Sequence, residues 1–316
     1  MARLTSVPFL AAALLLAGCP SLPDTQPFTD ATVGLRSAVA ASGTAVVAEL
    51  KRNPVDGMAA QGASLEKAWQ VRTKAMSALV DYANSLQAIA DSGRKGEESA
   101  QKLADAATTL VQTLGAANLA ASAGASLAID TFKFANGQIA RARAAKSLEA
   151  ALAEMQPAIE RIAELFAADL TDLDTLVQTT IDAQRDRLER DNQSEINYRR
   201  RLLAARRSLM AKAASQLDEQ VKPTALAGSD DLKRADELLA ANEAWHTAYA
   251  AQQAAIAERG RLAAEMLGAA QAAFADWTAA HARLLAAVRA KRLPSMAELT
   301  AAAKRIQELV DRYRKL

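Results

Sequence analysis

From Phe28 onward, apolar side chains recur at intervals of three and four residues, the spacing of one face of an α-helix, and the interruptions are few. The pattern predicts a first helix over about 29–51, closed by Asn53-Pro54-Val55-Asp56-Gly57. A second is predicted over about 58–90, closed by Asp91-Ser92-Gly93-Arg94-Lys95-Gly96. Gly, Pro and Asx residues in such runs offer the backbone turn conformations that end a helix. A third helix starts near Glu97 and enters a Gly/Ala/Ser-rich zone from about Leu114 to Ser126, after which helix resumes through Lys133 to Met155. Pro157 has no amide hydrogen to donate, which predicts a restart or a kink there.

Beyond Pro157 the positions Ile159, Ile162, Phe166, Leu170, Leu173, Val177, Ile181 and Leu188 form one apolar stripe. The same helix is expected to continue through Leu202, Leu209 and Leu217 to Val221, before Lys222-Pro223. Gly228-Ser229-Asp230-Asp231 then supplies a helix start. A seam through Leu238, Asn242, Trp245, Tyr249, Ile256, Met266, Phe274, Trp277, His281, Leu284 and Val288 follows for about 60 residues without proline. At 1.5 Å rise per residue, that helix would be ~90 Å long. Pro294 ends it, and Ser295-Met296-Ala297-Glu298 has the order of a capping box opening a last helix. Helices this long exclude a compact globule. The expected fold is all-α, an elongated antiparallel helical bundle with two very long helices, formed as a single domain over residues 29–316.

Composition agrees. About a quarter of the 316 residues are Ala, aromatics make up 4%, and there are 13 Gly and 8 Pro, a mixture biased toward helix and against strand. With 38 basic and 36 acidic residues the formal charge is +2, too balanced to indicate nucleic acid as a whole-protein partner. Two His and one Cys exclude a disulfide framework and a Cys-rich metal module.

The N-terminus carries an address. Arg3 precedes a mostly apolar run from Leu4 to Leu16, about 13 residues, too short for a membrane-spanning helix of about 20 and of the right length for a secretory signal. The run ends in Leu16-Ala17-Gly18-Cys19, which closely resembles the lipobox of bacterial lipoproteins. That resemblance implies removal of residues 1–18 as a lipoprotein signal peptide. It also implies a diacylglyceryl group on the thiol of Cys19 and acylation of the new amino group. Two or three buried acyl chains hold a protein stably in a bilayer, where one holds only marginally. For a Gram-negative source, Pro20 in place of the Asp that favours inner-membrane retention implies the outer membrane, with the protein facing the periplasm. Residues 19–28, with Pro20, Pro23 and Pro27, are expected to form an extended tether between the lipidated Cys and the bundle.

Nothing in the rest of the chain points to catalysis. His246 and His281 lie 35 residues apart on one predicted helix, ~52 Å in space, so they cannot share a site within a straight helix. Glu243 and His246 have the Glu-x-x-His spacing of di-iron bundles, but Thr278 stands three residues before His281, so the second motif is missing. No Gly-x-Ser-x-Gly or phosphate-cradling glycine motif occurs. The expectation is no enzymatic activity, no metal and no cofactor beyond the lipid on Cys19.

Two features bear on partners. Arg199, Arg200, Arg201, Arg206 and Arg207 place five guanidinium groups within nine residues, spread around most of a helix circumference, a candidate surface for anionic head groups or acidic cell-wall polymer. The run from Ala106 to Ile129 has 24 residues without a charge, and Ala116, Ala120, Gly124 and Ala128 recur in it every four residues. Such a small-residue face permits close helix packing in water or in a membrane. The chain therefore reads as a lipid-anchored envelope protein, a periplasmic helical binding, spacer or scaffold component. Its expected partners are the membrane, through the anchor, and an envelope protein or cell-wall polymer, with room for homo-oligomerisation. The alternative is a membrane-active helical protein, pore-forming or membrane-remodelling, that uses the 106–129 segment.

Overall fold

The computed structural model describes residues 25–52, 58–91, 97–116, 125–216, 230–290 and 295–315. Among them there are nine helices and no strand: α1 (Gln26–Arg52), α2 (Met58–Asp91), α3 (Glu97–Ala116), α4 (Ala125–Arg143), α5 (Leu148–Asp191), α6 (Gln193–Gln216), α7 (Asp230–Ala241), α8 (Glu243–Ala290) and α9 (Ala297–Tyr313). The fold is all-α. The two longest helices are α5, with 44 residues, and α8, with 48.

Four boundaries differ from the sequence pattern, each for a local reason. First, α1 opens at Gln26 rather than at 29. The Thr25 carbonyl accepts the Phe28 and Thr29 amides at 3.0 and 3.2 Å, and Pro27 sits in the first turn, where its missing amide has no intrahelical bond to lose. Phe28 is thus a fully buried core residue rather than the end of a spacer. Second, the break expected at Pro157 falls at 144–147. There the Ser147 hydroxyl caps α5 by accepting the Ala150 amide at 3.1 Å. Pro157 lies inside α5, where it costs about 3 kcal/mol in helix terms. Complete burial of Met155, Ile159 and Ile162 around it, at about 1.5–3 kcal/mol each, offsets that cost. Third and fourth, neither very long helix is unbroken: a single residue, Asn192, divides α5 from α6, and another, Asn242, divides α7 from α8.

The chain divides into two compact units, one taking residues up to 36, 74–165 and 273–301, the other 37–73, 166–272 and 302–316. In each, partner positions on paired helices run in opposite directions. In the first unit Thr29 donates to the Ala83 carbonyl and Arg36 to Ser77, and in the second Trp69 donates to the Ala40 carbonyl and Lys51 to Glu66. In both units α1 and α2 are therefore antiparallel.

The first unit packs Phe28, Leu35, Leu79, Leu103, Ile159 and Trp277 into its core. A polar chain crosses that core. The Gln156 amide nitrogen donates to the Thr278 carbonyl at 3.3 Å, so its oxygen faces His281 and accepts Nδ1–H at 2.6 Å. Nε2 of His281 is then the acceptor, and the Tyr82 hydroxyl donates to it at 2.9 Å. Burial raises the pKa of Tyr82 and lowers that of His281 from 6.5 to about 4, so both stay neutral.

The sign of the resulting pH dependence follows. Unfolded chains take up a proton on this imidazole as pH falls below about 6.5, while the folded protein resists until about 4. The contribution is fully present above 6.5 and is lost as pH falls to about 4, amounting to ~3 kcal/mol. Denaturant unfolding of the parent and of His281→Gln across that window checks this. The parent should lose more stability than the variant, and parallel curves would remove His281 as the proton site.

The second unit packs Val46, Leu50, Leu170, Val177, Leu262, Met266 and Ile306. Trp69 lies directly on α1 because residue 43 is Gly: a Cβ there would sit 1.7 Å from the indole. Arg72 makes a bidentate ion pair with Asp169, and both side chains are largely buried.

Candidate functional site

The strongest concentration of partly exposed functional groups in the second unit is the hairpin built by α6 and α7 with the adjoining turns of α5 and α8. Its two helices are antiparallel: Arg199 pairs with Glu243 at 2.7 Å and Arg206 with Asp236 at 2.5 Å. The interface buries little, namely Leu232, Ala235 and Asn242 on one side, with Ile196, Leu202 and Leu209 half-buried on the other. A seam this thin relies on polar register marks, and the two asparagines at the helix interruptions supply them. Asn192 accepts Trp245 Nε1–H at 3.0 Å through its side-chain oxygen and returns its amide nitrogen to the Leu188 carbonyl at 2.8 Å. Asn242 accepts Arg199 Nη1–H at 3.3 Å. Each interruption is therefore held by a side chain from the opposite helix. Trp245 stacks on Tyr249 with ring centres 5.3 Å apart and planes 12° from parallel.

The five arginines split into two sets. Arg199 and Arg206 close the hairpin, and the hydrogen bond from Arg199 holds the Glu243 carboxyl below its usual range. The others face outward: Arg200 donates to Asn197 at 3.3 Å, Arg207 donates to the Leu203 carbonyl at 3.4 Å, and Arg201 is exposed. Leu203, Met210 and Leu238 are exposed on the same hairpin. The basic surface is thus narrower than five arginines imply and is interleaved with apolar side chains.

Below the hairpin lies a buried hub that sequence reasoning missed. The Glu49 side chain is 1% exposed and accepts hydrogen bonds from Gln184 at 2.6 Å, Arg259 at 3.3 Å and the Tyr313 hydroxyl at 2.9 Å. Arg259 also donates to the Gln184 oxygen at 3.2 Å, so four helices, α1, α5, α8 and α9, meet on one carboxylate. Burial and the Glu49 charge raise the pKa of Tyr313, which keeps its proton for this bond. A signal was present in the chain: Glu49 is the one charge in the apolar run from Ala45 to Leu50.

The remaining candidates are placed as follows. Cys19, Ala120 and Gly124 lie outside the described residues. Ala116 closes α3 and Ala128 lies in the first turn of α4, so the described parts of the uncharged run, 106–116 and 125–129, fall in two helices that pack on each other. Within it Leu110 and Val111 are buried. By length and composition α1 is the one described helix apolar enough to cross a membrane. Its Phe28, Leu35, Val39, Val46 and Leu50 are all buried in protein, the placement of a core helix. His246 Nδ1 is 3.6 Å from Glu243. Among the described residues no group of three or more His, Cys, Asp or Glu is placed to hold a metal. No protein-family model, curated protein or solved structure matches this chain.

Proposed function

We propose that the chain is a lipid-anchored envelope protein, held through Cys19 in the outer membrane and facing the periplasm. Its helical bundle acts as a binding, spacer or scaffold component, and the α6–α7 hairpin is its docking element. The observation that carries this reading is the division of labour on the hairpin. Arg199 and Arg206 are committed to holding it together, which leaves Arg200, Arg201 and Arg207 beside exposed Leu203 and Met210 for an acidic envelope partner. Burial of Leu110 and Val111 favours this reading over the membrane-active one, since those side chains are occupied in the bundle.

Two substitutions in the full chain test it. Cys19→Ser should abolish incorporation of radioactive fatty acid and leave an unprocessed precursor; labelling that persists would overturn the anchor. Neutralising Arg200, Arg201 and Arg207 together to Gln should lower co-sedimentation with isolated cell-wall sacculi while the melting temperature stays within about a degree or two, as for exposed positions. Unchanged co-sedimentation would remove the basic face from the docking role.

A further inference from the structure

Between α1 and α2, within the second unit, lies a groove of about 320 Å³. Ala40, Val47 and the indole of Trp69 supply its apolar surface, and Thr44, Glu66 and Gln70 supply its polar wall. Glycine at 43 lets the indole lie against α1 and so keeps the groove open: a Cβ there would stand 1.7 to 2.2 Å from three ring atoms and push the ring outward. We propose that this groove binds a small molecule carrying a primary ammonium group on a short apolar stem.

Most of the groove's own donors are spent on its walls. The Thr44 hydroxyl donates to the Ala40 carbonyl at 3.0 Å, and that of Thr73, which also lines the groove, donates to the Trp69 carbonyl at 3.0 Å. Trp69 Nε1–H donates to the Ala40 carbonyl at 3.3 Å. None of the lining residues is Lys, Arg or His. What the wall offers is acceptors: the Glu66 carboxylate, the Thr44 oxygen and the Gln70 amide oxygen. An ammonium group carries three donors, accepts nothing and has the charge opposite to Glu66, whereas a phosphate or carboxylate would find only the Gln70 amide nitrogen to donate to it. The indole adds to the same preference, because it is the side-chain ring that attracts cations most strongly.

The fold itself displays part of this match. Lys51 Nζ lies 2.8 Å from Glu66 Oε2, an ammonium on the same carboxylate, and the two side chains are 43% and 47% exposed. Exposed pairs of this kind are weak, so Lys51 is a modest internal competitor rather than a block. The groove's volume lies at the lower end of the ~300–1,000 Å³ that small-molecule sites span, and Ala40 and Val47 leave apolar surface for a stem of a few carbons. A soluble amine and an ethanolamine lipid head group share this chemistry, and short-chain probes separate them.

The full chain is titrated by NMR on the Trp69 indole N–H signal, assigned by its loss in Trp69→Phe. The probes are butylammonium, butanol, tetramethylammonium and monomeric dihexanoylphosphatidylethanolamine. A saturable shift is expected with butylammonium and none with butanol. Tetramethylammonium, which has no N–H to donate, should bind more weakly than butylammonium. Glu66→Gln should weaken butylammonium binding roughly tenfold or more through loss of the charge-assisted contact, and Lys51→Gln should tighten it about two- to fivefold by removing the competitor. Opposite signs from the two partners of one ion pair separate ligand binding from a structural role. Both variants should melt as the parent does, since both side chains are about half exposed. Preference for butylammonium assigns the site to a soluble amine; preference for the phosphatidylethanolamine assigns it to a lipid head group. The proposal is overturned if neither of those two probes gives a saturable shift, if butanol or tetramethylammonium binds as tightly as butylammonium, or if parent and Glu66→Gln have equal affinity.

Discussion

Replacing Glu49 by alanine is expected to destabilise the protein by about 3–5 kcal/mol, the range for breaking a buried ion pair by removing one partner. The carboxylate is 1% exposed, and its loss strands three donors at once: the Arg259 guanidinium, the Gln184 amide and the Tyr313 hydroxyl. Arg259 is itself only 18% exposed, so water cannot fully replace the missing partner. Glu49→Gln keeps one acceptor oxygen and should cost less than Glu49→Ala. Combining Glu49→Ala with Arg259→Met should recover part of the loss, because the stranded charge is then gone. Equilibrium denaturation of the four proteins measures the order directly. Equal stability of the parent and Glu49→Ala would show that the hub is solvated and contributes nothing.

Trp277→Ala should cost a similar ~3–5 kcal/mol, from the transfer of a large side chain plus the cavity left behind. The indole is fully buried, stacks near-parallel on Phe28 with centres 6.1 Å apart, and donates Nε1–H to the Thr32 hydroxyl at 3.2 Å. Its surroundings in α8 include Ala273 and Ala280, whose methyl groups are too short to close the void. Trp277→Phe keeps most of the volume and loses the hydrogen bond, so it should fall between parent and alanine variant. If thermal unfolding of Trp277→Ala coincides with that of the parent, the aromatic contribution to this core is wrong.

The hub and the aromatic core differ in how far the sequence announced them. Trp277 stands on the apolar seam of α8 and is identifiable as core from its spacing to Phe274 and Leu284 alone. Glu49 stands out as a charge among apolar neighbours, yet its partners Gln184, Arg259 and Tyr313 lie 135, 210 and 264 residues away, and no local pattern connects them. The arginine cluster shows the same limit from the other direction. Five cations in nine residues look equivalent until Glu243 and Asp236, from the returning helices, claim two of them. His281 appeared as one more seam position, whereas its environment is set by Tyr82, 199 residues distant, and Gln156, 125 residues distant.

By itself the sequence determined the helical class, the ends of α1 and α2 just before their Pro- and Gly-containing runs, the start of α7 at its aspartates and the start of the last helix, α9, near Ser295. These are matters of hydrogen bonds four residues apart and of side chains that favour or refuse the next turn, so the information is local. Tertiary structure decided that Pro157 stays within a helix, because buried neighbours outweigh one lost backbone bond. It also decided that Asn192 and Asn242 interrupt helices whose periodicity runs on, where each accepts a donor from the helix opposite. The identity of the buried polar partners belongs to the same level. A polar group removed from water must be satisfied by whatever packing brings beside it, and in an antiparallel bundle that neighbour is set by helix register rather than by distance along the chain.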